Sequence, residues 1–506
     1  MTRVFASADS SAVAVGIDSV LTRLIDVARA QSGTLEIVRT GSRGLHWLEP
    51  LVEIERDGKR IAYGPLSLAD VDARLLTGSD HPKVIGPLDE HVWFRKQKRL
   101  TFARCGLTDP LSLEQYRSLA GWTGLARARL IGREATIDAI MRSGLRGRGG
   151  AGFPAGIKWK TVAEAKGDRK YVVCNADEGD SGTFADRMMM EGDPFALIEG
   201  LIVAGFAIGA SKGFVYARSE YPHCNATFRK ALGIAKNAGL IGGDFDIELR
   251  IGAGSYVCGE ETALLESLEG KRGQVRAKPP FPAHEGLFGA PTLVNNVLTL
   301  ATVPWLLANG WEGYAALGFG KSRGTMPIQL SGNVRCGGLF EVPFGLTLRE
   351  IVHEFGGGTV AGRPVKAVQC GGPLGAYFPE ALLDTPYDYE AFASKDGLIG
   401  HGGVVVFDDT VDMAVQARFA MEFCAVESCG KCTPCRIGSV RGAEIIDRIV
   451  AGRGKPADER LLRDLCETLK FGSLCALGGF VPYPVLSALN HFPDDFSDSV
   501  VRRKAG

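Results

Sequence analysis

The most definite chemistry lies near the end of the 506-residue chain, where Cys429, Cys432 and Cys435 form a C-x2-C-x2-C run. Three thiols at that period wrap one centre, and iron–sulfur clusters are normally held by four cysteines. Residue 439 is Ser, so the fourth ligand comes from elsewhere. The candidates are Cys475, in GSLCALGG, and Cys466, inside a helix expected over 458–469. Cys475 is favoured, because a glycine-flanked loop lets a thiolate reach a cluster while backbone N–H groups hydrogen-bond its sulfurs. Lys431 and Arg436 would offset the negative charge. Zinc and free thiols are the competing readings, but structural zinc uses paired knuckles set far apart. Cys105, Cys174, Cys224, Cys258, Cys336, Cys370 and Cys424 lack partner spacing and read as small buried hydrophobes.

Two glycine-rich loops come earlier. Gly147-Arg148-Gly149-Gly-Ala-Gly152 satisfies G-x-G-x-x-G, though a helix precedes it where the dinucleotide fingerprint has a strand. Arg146, Arg148 and Lys158 surround its N–H groups with positive charge that suits phosphate, and Phe153 offers an aromatic face. Gly252-Ala-Gly-Ser-Tyr256-Val-Cys-Gly259 follows a strand and opens a helix, whose N-terminus carries partial positive charge. Glu260 and Glu261 stand there, either to stabilise the helix end or to meet ribose hydroxyls. Asn175-Ala-Asp177-Glu178-Gly-Asp180 ends a buried strand, the place where ligands bind in open α/β sheets. Its acidic groups suit ribityl or ribose hydroxyls; a capped turn is the plainer reading. Asn295-Asn296 caps a helix or donates amides to a phosphate.

The elements that must position these groups follow from pattern. Residues 1–100 read as a small α/β unit: a helix over 18–30, a strand over 34–40, a hairpin around Asp57-Gly58, and a linker over 74–95. Residues 101–324 alternate strands with helices, which predicts a largely parallel sheet. Residues 325–409 read as a small α+β module, and 410–506 as mostly helical. Glycine is the compositional outlier, 66 of 506 residues without a G-X-Y period, which excludes collagen and signals special backbone near ligands. Equal numbers of basic and acidic residues, 58 of each, argue against nucleic-acid binding by bulk charge. The longest apolar run, 196–210, contains Glu199 and falls short of the roughly 18 residues a membrane span needs. The opening residues lack a secretory signal's apolar core, so the expected location is cytoplasmic, with reduced thiols.

Taken together, six segments resemble the flavin subunit of respiratory complex I and its relatives in NAD-linked formate dehydrogenases and hydrogenases. They are RGRGGAGFPAGIKW (146–159), CNADEGDSGTFADR (174–187), GAGSYVCGEETALL (252–265), KPPFPA (278–283), PTLVNNV (291–297) and ESCGKCTPCRIG (427–438). The resemblance implies FMN, NAD(H) and one [4Fe–4S] cluster. It implies FMN contacts at Gly147, Arg148, Gly149, Lys158, Asn175, Asp177, Tyr256, Gly259, Glu260, Val294, Asn295 and Asn296. Glu178, Asp180, Glu261 and Lys278 would lie near the nicotinamide nucleotide, and Phe153 and Phe281 would stack on adenine. Asp180 stands where the family often has Glu. Cys429, Cys432, Cys435 and Cys475 match the cluster ligands. No acid, base or nucleophile is required for hydride transfer.

The fold so implied is an α/β multidomain chain: a thioredoxin-like N-terminal domain, a Rossmann-like FMN/NADH domain, a ubiquitin-like α+β module and a C-terminal helical bundle. TGSRGLH (40–46) resembles a cluster-binding stretch of the thioredoxin-like [2Fe–2S] partner subunit, but Ser42 and His46 replace its cysteines. A cluster-free leading domain of this kind points to the beta subunit of a cytoplasmic NAD-dependent formate dehydrogenase. Its expected partners are sister iron–sulfur subunits, including a thioredoxin-like [2Fe–2S] subunit, and a catalytic molybdenum subunit. The equivalent subunit of complex I or of an NAD-reducing hydrogenase is the alternative, and a non-enzymatic metal-binding scaffold the second.

Overall fold

The computed structural model describes residues 2–78 and 80–497. The tail beyond 497, part of the segment read as mostly helical, lies outside the described residues.

The first unit contains β1 (Thr2–Ser7), α1 (Ile17–Ala30), β2 (Leu35–Thr40), β3 (Val52–Arg56), β4 (Lys59–Tyr63) and β5 (Val84–Gly86). The sheet order is β2-β1-β3-β4-β5, with β1 and β2 parallel and the other neighbours antiparallel. Val20, Leu21 and Leu24 of α1 form a buried stripe against Val4, Val52 and Ile54. The expected linker over 74–95 is a packed segment instead. β5 completes the sheet edge, and Trp93 is buried with its indole N–H on the Phe355 carbonyl. Glycine and proline marked its turns, but Ile85, Trp93 and Phe94 supply enough apolar surface to dock it.

The central unit runs through α2 (Arg133–Ser143), α3 (Ala155–Glu164), β6 (Tyr171–Ala176), α4 (Ala185–Gly192), α5 (Pro194–Ile208), β7 (Lys212–Ala217), α6 (Pro222–Asn237), β8 (Asp246–Ile251), α7 (Glu261–Leu268), β9 (Thr292–Asn296) and α8 (Val297–Asn309). Its four strands are all parallel, in the order β8-β7-β6-β9. The chain steps outward from β6 to β8, then returns to the far side of β6. The seam between β6 and β9 is therefore a topological switch point, where a crevice opens beyond the strand ends. Register pairs Asn175 with Asn296 at that end. Helix α5 is buried almost all round and packs on α8. Its one charge, Glu199, accepts hydrogen bonds from the Tyr116 hydroxyl (2.6 Å) and the N–H groups of Trp122 (2.7 Å) and Leu125 (2.8 Å). Those bonds make its burial tolerable.

A third sheet contains β10 (Thr325–Gly332), β11 (Gly338–Pro343), β12 (Val365–Cys370), β13 (Tyr377–Pro379) and β14 (Gly403–Asp408), in the order β11-β10-β14-β12-β13. The helix expected over 348–355 is α-helical only at Leu348–Glu350 and continues as a wider turn through Ile351–Phe355. Leu45, Leu51 and Trp93 from the first unit share this sheet's core. The C-terminal bundle comprises α9 (Met413–Glu427), α10 (Thr433–Val450), α11 (Asp458–Gly472) and α12 (Pro482–His491), around Met421, Ile446, Leu462 and Leu469. Among the described residues, no helix is long and apolar enough to cross a membrane.

Candidate nucleotide and cluster site

The carboxyl ends of β6, β8 and β9 gather the polar motifs. The Asn175 amide donates to the Gly259 carbonyl (2.8 Å), tying the acidic loop to the second glycine loop. The Tyr256 hydroxyl donates to Asp180 Oδ1 (2.6 Å). Asp177 is largely buried. Burial pushes its carboxyl up to about 7, against the pull of Arg218, and its Oδ2 has no hydrogen-bond partner. An orphaned buried carboxylate oxygen suits a hydroxyl donor such as a ribityl chain. Gly259 lies beside it, and Gly147 begins the first glycine-rich loop. A Cβ on Gly147 or Gly259 would meet protein no closer than 3.6 or 3.5 Å, so the fold itself does not demand glycine there. Gly149 differs: a Cβ there would fall 2.8 Å from Asn296 Cβ, so close packing requires it. The residues present therefore fit a flavin nucleotide.

Several side chains do other work than the sequence suggested. Arg148 is fully buried and points away from the loop. Its guanidinium donates to the Tyr314 hydroxyl (2.6 Å) and to the carbonyls of Arg146, Arg323 and Thr325. Its backbone N–H donates to Thr299 Oγ1 of α8 (2.9 Å). Arg146 is engaged by Glu390 (2.7 Å) and lies over the Tyr389 ring. Of the three basic residues, Lys158 alone joins the other motifs, through Glu261 and the Val294 carbonyl (both 3.2 Å). Glu260 caps α7, accepting the N–H groups of Thr262 (2.8 Å) and Ala263 (2.9 Å), and so stabilises the helix end. Its other oxygen takes Lys278 (2.8 Å). Asn295 Oδ1 accepts the Trp159 indole N–H (2.8 Å), and Asn296 Oδ1 caps α8.

Glu261 bridges Lys158 and Lys278, each at 3.2 Å. Burial disfavours its charge, but the two ammonium groups hold its carboxyl below the usual range. This bridge brings the segments that carry Phe153 and Phe281 to one rim. Both rings are about half exposed, 50% and 54%, which leaves planar faces free. Glu178 lies deeper. It accepts the N–H groups of Asp186 (3.0 Å) and Arg187 (3.1 Å) and faces His401 (3.3 Å). Sequence reasoning missed His401 and Asp186; an ionisable residue between glycines, in IGHGG, was the available signal.

The cysteine run forms the loop between α9 and α10. Cys432 caps α10 with no side-chain hydrogen bond, Cys435 lies in its first turn, and Gly430 turns the chain at φ +79°. Helix N–H groups and partial positive charge therefore meet the thiolates. Cys475 caps the short helix Ala476–Phe480. A Cβ on Gly478 would fall 2.8 Å from Cys435 Cβ, so this second cysteine segment packs directly on the first. Burial raises the Cys475 thiol, and Cys435 and Cys429 push the same way; Cys466 is wholly buried on α11, with Arg463 as its charged neighbour. The donor set fits one cluster. Lys431 does not stand over it, because its ammonium binds the Val275 carbonyl (2.7 Å). Cys336 is only partly buried, unlike the other cysteines read as core residues.

The two sites touch. Tyr256, at the flavin cradle, packs its ring on Phe423 (4.8 Å between centroids) and gives its N–H to Glu427 (3.1 Å), two residues before Cys429. The first unit meets the central one where cluster cysteines were expected but absent. The His46 ring lies 4.8 Å from Phe184, and Asp9 pairs with Arg187 (2.9 Å).

A nucleotide cradle at a parallel-sheet switch point, joined to a cysteine-lined loop, defines a flavin-linked electron-transfer protein. Residues 140–305 match the Nuo51 FMN-binding domain, and 415–499 the NADH-ubiquinone oxidoreductase-F iron–sulfur binding region. The chain is 46% identical to the NADP-reducing hydrogenase subunit HndC of Solidesulfovibrio fructosivorans, over 81% of this chain and 85% of that one. It is 41% identical to a subunit of the NADH-quinone oxidoreductase of Aquifex aeolicus, over 76% and 90%. A crystal structure of an air-oxidised NAD+-reducing [NiFe]-hydrogenase aligns with TM-score 0.71 and 30% identity, over 98% of this chain and 85% of that one. The chain belongs to the family of flavin subunits that serve these oxidoreductases, and the family's cofactors are FMN, a [4Fe–4S] cluster and NAD(H).

Proposed function

We propose that this chain is the NAD(H)-facing subunit of a cytoplasmic multisubunit dehydrogenase, with an NAD(P)-reducing hydrogenase or complex I as the better supported parent. The carrying observation is the cradle of Asn175, Asp177 and Gly259, joined to the Cys429–Cys435 loop through Tyr256 and Glu427. When bound, FMN supplies hydride exchange with NAD(H) and single-electron exchange with a [4Fe–4S] cluster. The protein supplies placement. Asp177 offers its unpaired oxygen to a sugar hydroxyl, Lys158 and Lys278 set positive charge at the rim, and Phe153 and Phe281 offer faces to adenine. Cys429, Cys432, Cys435 and Cys475 are the proposed cluster ligands. Neither glycine loop needs a proton donor for hydride transfer.

A formate dehydrogenase is the second reading, favoured by the cysteine-free first unit with Ser42 and His46. That argument is weakened by the hydrogenase alignment, which spans 98% of the chain and so includes the first unit. The proposed domain boundaries remain 1–100, 101–324, 325–409 and 410–506, with the first domain docking sister subunits. Those subunits would include a thioredoxin-like [2Fe–2S] protein. Isolating the native complex tests the assignment: nickel with hydrogen-dependent NAD(P) reduction supports the first parent, and molybdenum with formate-dependent reduction replaces it by the second. A preparation without flavin or iron rejects both.

A further inference from the structure

His401 lies just before β14, far in sequence from either glycine loop, and is buried. Its Nδ1 is 2.5 Å from the Arg148 carbonyl oxygen. A carbonyl only accepts, so Nδ1 carries a proton. Its Nε2 is 3.3 Å from Glu178 Oε1 and 3.1 Å from Asp186 Oδ1. A neutral ring would present its lone pair to two carboxylates, whereas an imidazolium presents positive charge to both. Burial opposes that charge, but Asp186 and Glu178 hold the ring's pKa well above its usual value.

The partners of those carboxylates are the site's own walls. Glu178 accepts two backbone N–H groups at the start of α4 and so fixes the acidic loop's return. Asp186, on α4, accepts the Asn296 amide (2.7 Å) at the end of β9, and Asn296 is the residue on which Gly149 packs. Arg148 is the second residue of the glycine-rich loop Gly147–Gly152. One ring thus joins three segments that come together only in the fold. Of the other charged groups nearby, Asp180 adds negative charge, Arg218 is drawn to Asp177 and Glu220, and the Arg148 guanidinium points away toward Tyr314.

We propose that His401 is a positioning residue for the flavin: it clips the glycine-rich loop to the acidic loop and to the end of β9, and so sets how tightly the mononucleotide is held. This rests on the reading of the cradle as an FMN site. The test uses the full-length holoprotein with His401→Ala and His401→Gln. The readouts are the FMN dissociation constant from released-flavin fluorescence across pH, the electron paramagnetic resonance of the reduced cluster, and metal content. FMN binding should weaken about tenfold or more in His401→Ala, as for loss of a charge-assisted hydrogen bond. It should weaken less in His401→Gln, which retains an amide donor for Arg148, with the cluster signal unchanged in both. In the wild type FMN binding should loosen as pH rises through the ring's pKa, and in His401→Gln that loosening should vanish. Dissociation constants within twofold of wild type in both variants would overturn the proposal. So would an unchanged pH profile in His401→Gln, or a stoichiometric divalent metal lost with the imidazole, which would make the triad a metal site. Wild-type protein that takes up no FMN would instead sink the reading of the cradle, a distinguishable result.

Discussion

Replacing Phe281 by Ala should raise the KM for NADH sharply while leaving the flavin bound. The ring is 54% exposed at the rim that Lys278 shares with Glu261 and Lys158. A buried aromatic side chain covers about 200 Å², so roughly half of that is free for a planar partner. Covering it at about 25 cal/mol per Å² contributes about 2.5 kcal/mol. That agrees with the ~1–3 kcal/mol found for base–aromatic stacking. The expected effect is a KM increase of about 10- to 70-fold. The adenine end lies away from the reacting atoms, so the loss is uniform in ground and transition states and kcat should hold. Steady-state NADH oxidation with an artificial acceptor measures both constants, and flavin absorbance per protein gives occupancy. A KM within twofold of wild type, or loss of flavin with KM unchanged in the fraction that retains it, would refute the stacking argument.

Cys475→Ser should lower iron content or alter the cluster's electron paramagnetic resonance, whereas Cys466→Ser, a change inside the α11 core, should leave that signal intact; the opposite pattern would make Cys466 the ligand. Glu341→Ala should destabilise the joint between the central unit and the third sheet. It strands the N–H groups of Leu100, Thr101 and Phe102, each now bonded at 3.0 Å, at about 1–3 kcal/mol apiece. Calorimetry should show a loss of several degrees in Tm, and a shift below about 1 °C would contradict it. Asp177, pushed up to about 7 in the flavin-free protein, holds a proton that the unfolded chain has released above about 4. Its contribution to stability therefore falls as pH rises from about 4 to about 7. A hydroxyl donated to Oδ2 favours the carboxylate, so FMN binding should release a proton and tighten with pH across that window. Titration calorimetry in buffers of different ionisation enthalpy reads the proton directly, and Asp177→Asn should abolish it.

Much of this architecture was legible because it obeys local rules. The alternation of strands with helices over 101–324 predicts a parallel sheet, and the four strands there are parallel. The cysteine spacing and the glycine-flanked Cys475 are local features too. What escaped was long-range. Arg148 sits in a motif that invites a phosphate, yet it is anchored by carbonyls from 323 and 325 that no sequence pattern ties to residue 148. The segment over 74–95 carries breakers, and only its docking onto the third sheet shows why Trp93 is there. His401 offers a sequence only its place between glycines, because its partners lie more than 200 residues away.

These misses share a physical origin. A motif names the groups that meet a ligand, and those groups must keep unsatisfied polar capacity, as Asp177 does. The groups that hold a motif in place have spent theirs on buried partners, as Arg148, Glu178 and Asn296 have. Such partners are supplied by tertiary structure and have no fixed spacing. The groups proposed to face a ligand are therefore the ones a motif can name, and the groups that support them become readable only when burial and hydrogen bonds are known. Tyr256 belongs to both sets. Its hydroxyl binds Asp180 at the cradle while its backbone binds Glu427 beside the cluster loop. A change in that loop should consequently be felt at the nucleotide site through the Glu427 carboxylate and the Tyr256 backbone it holds.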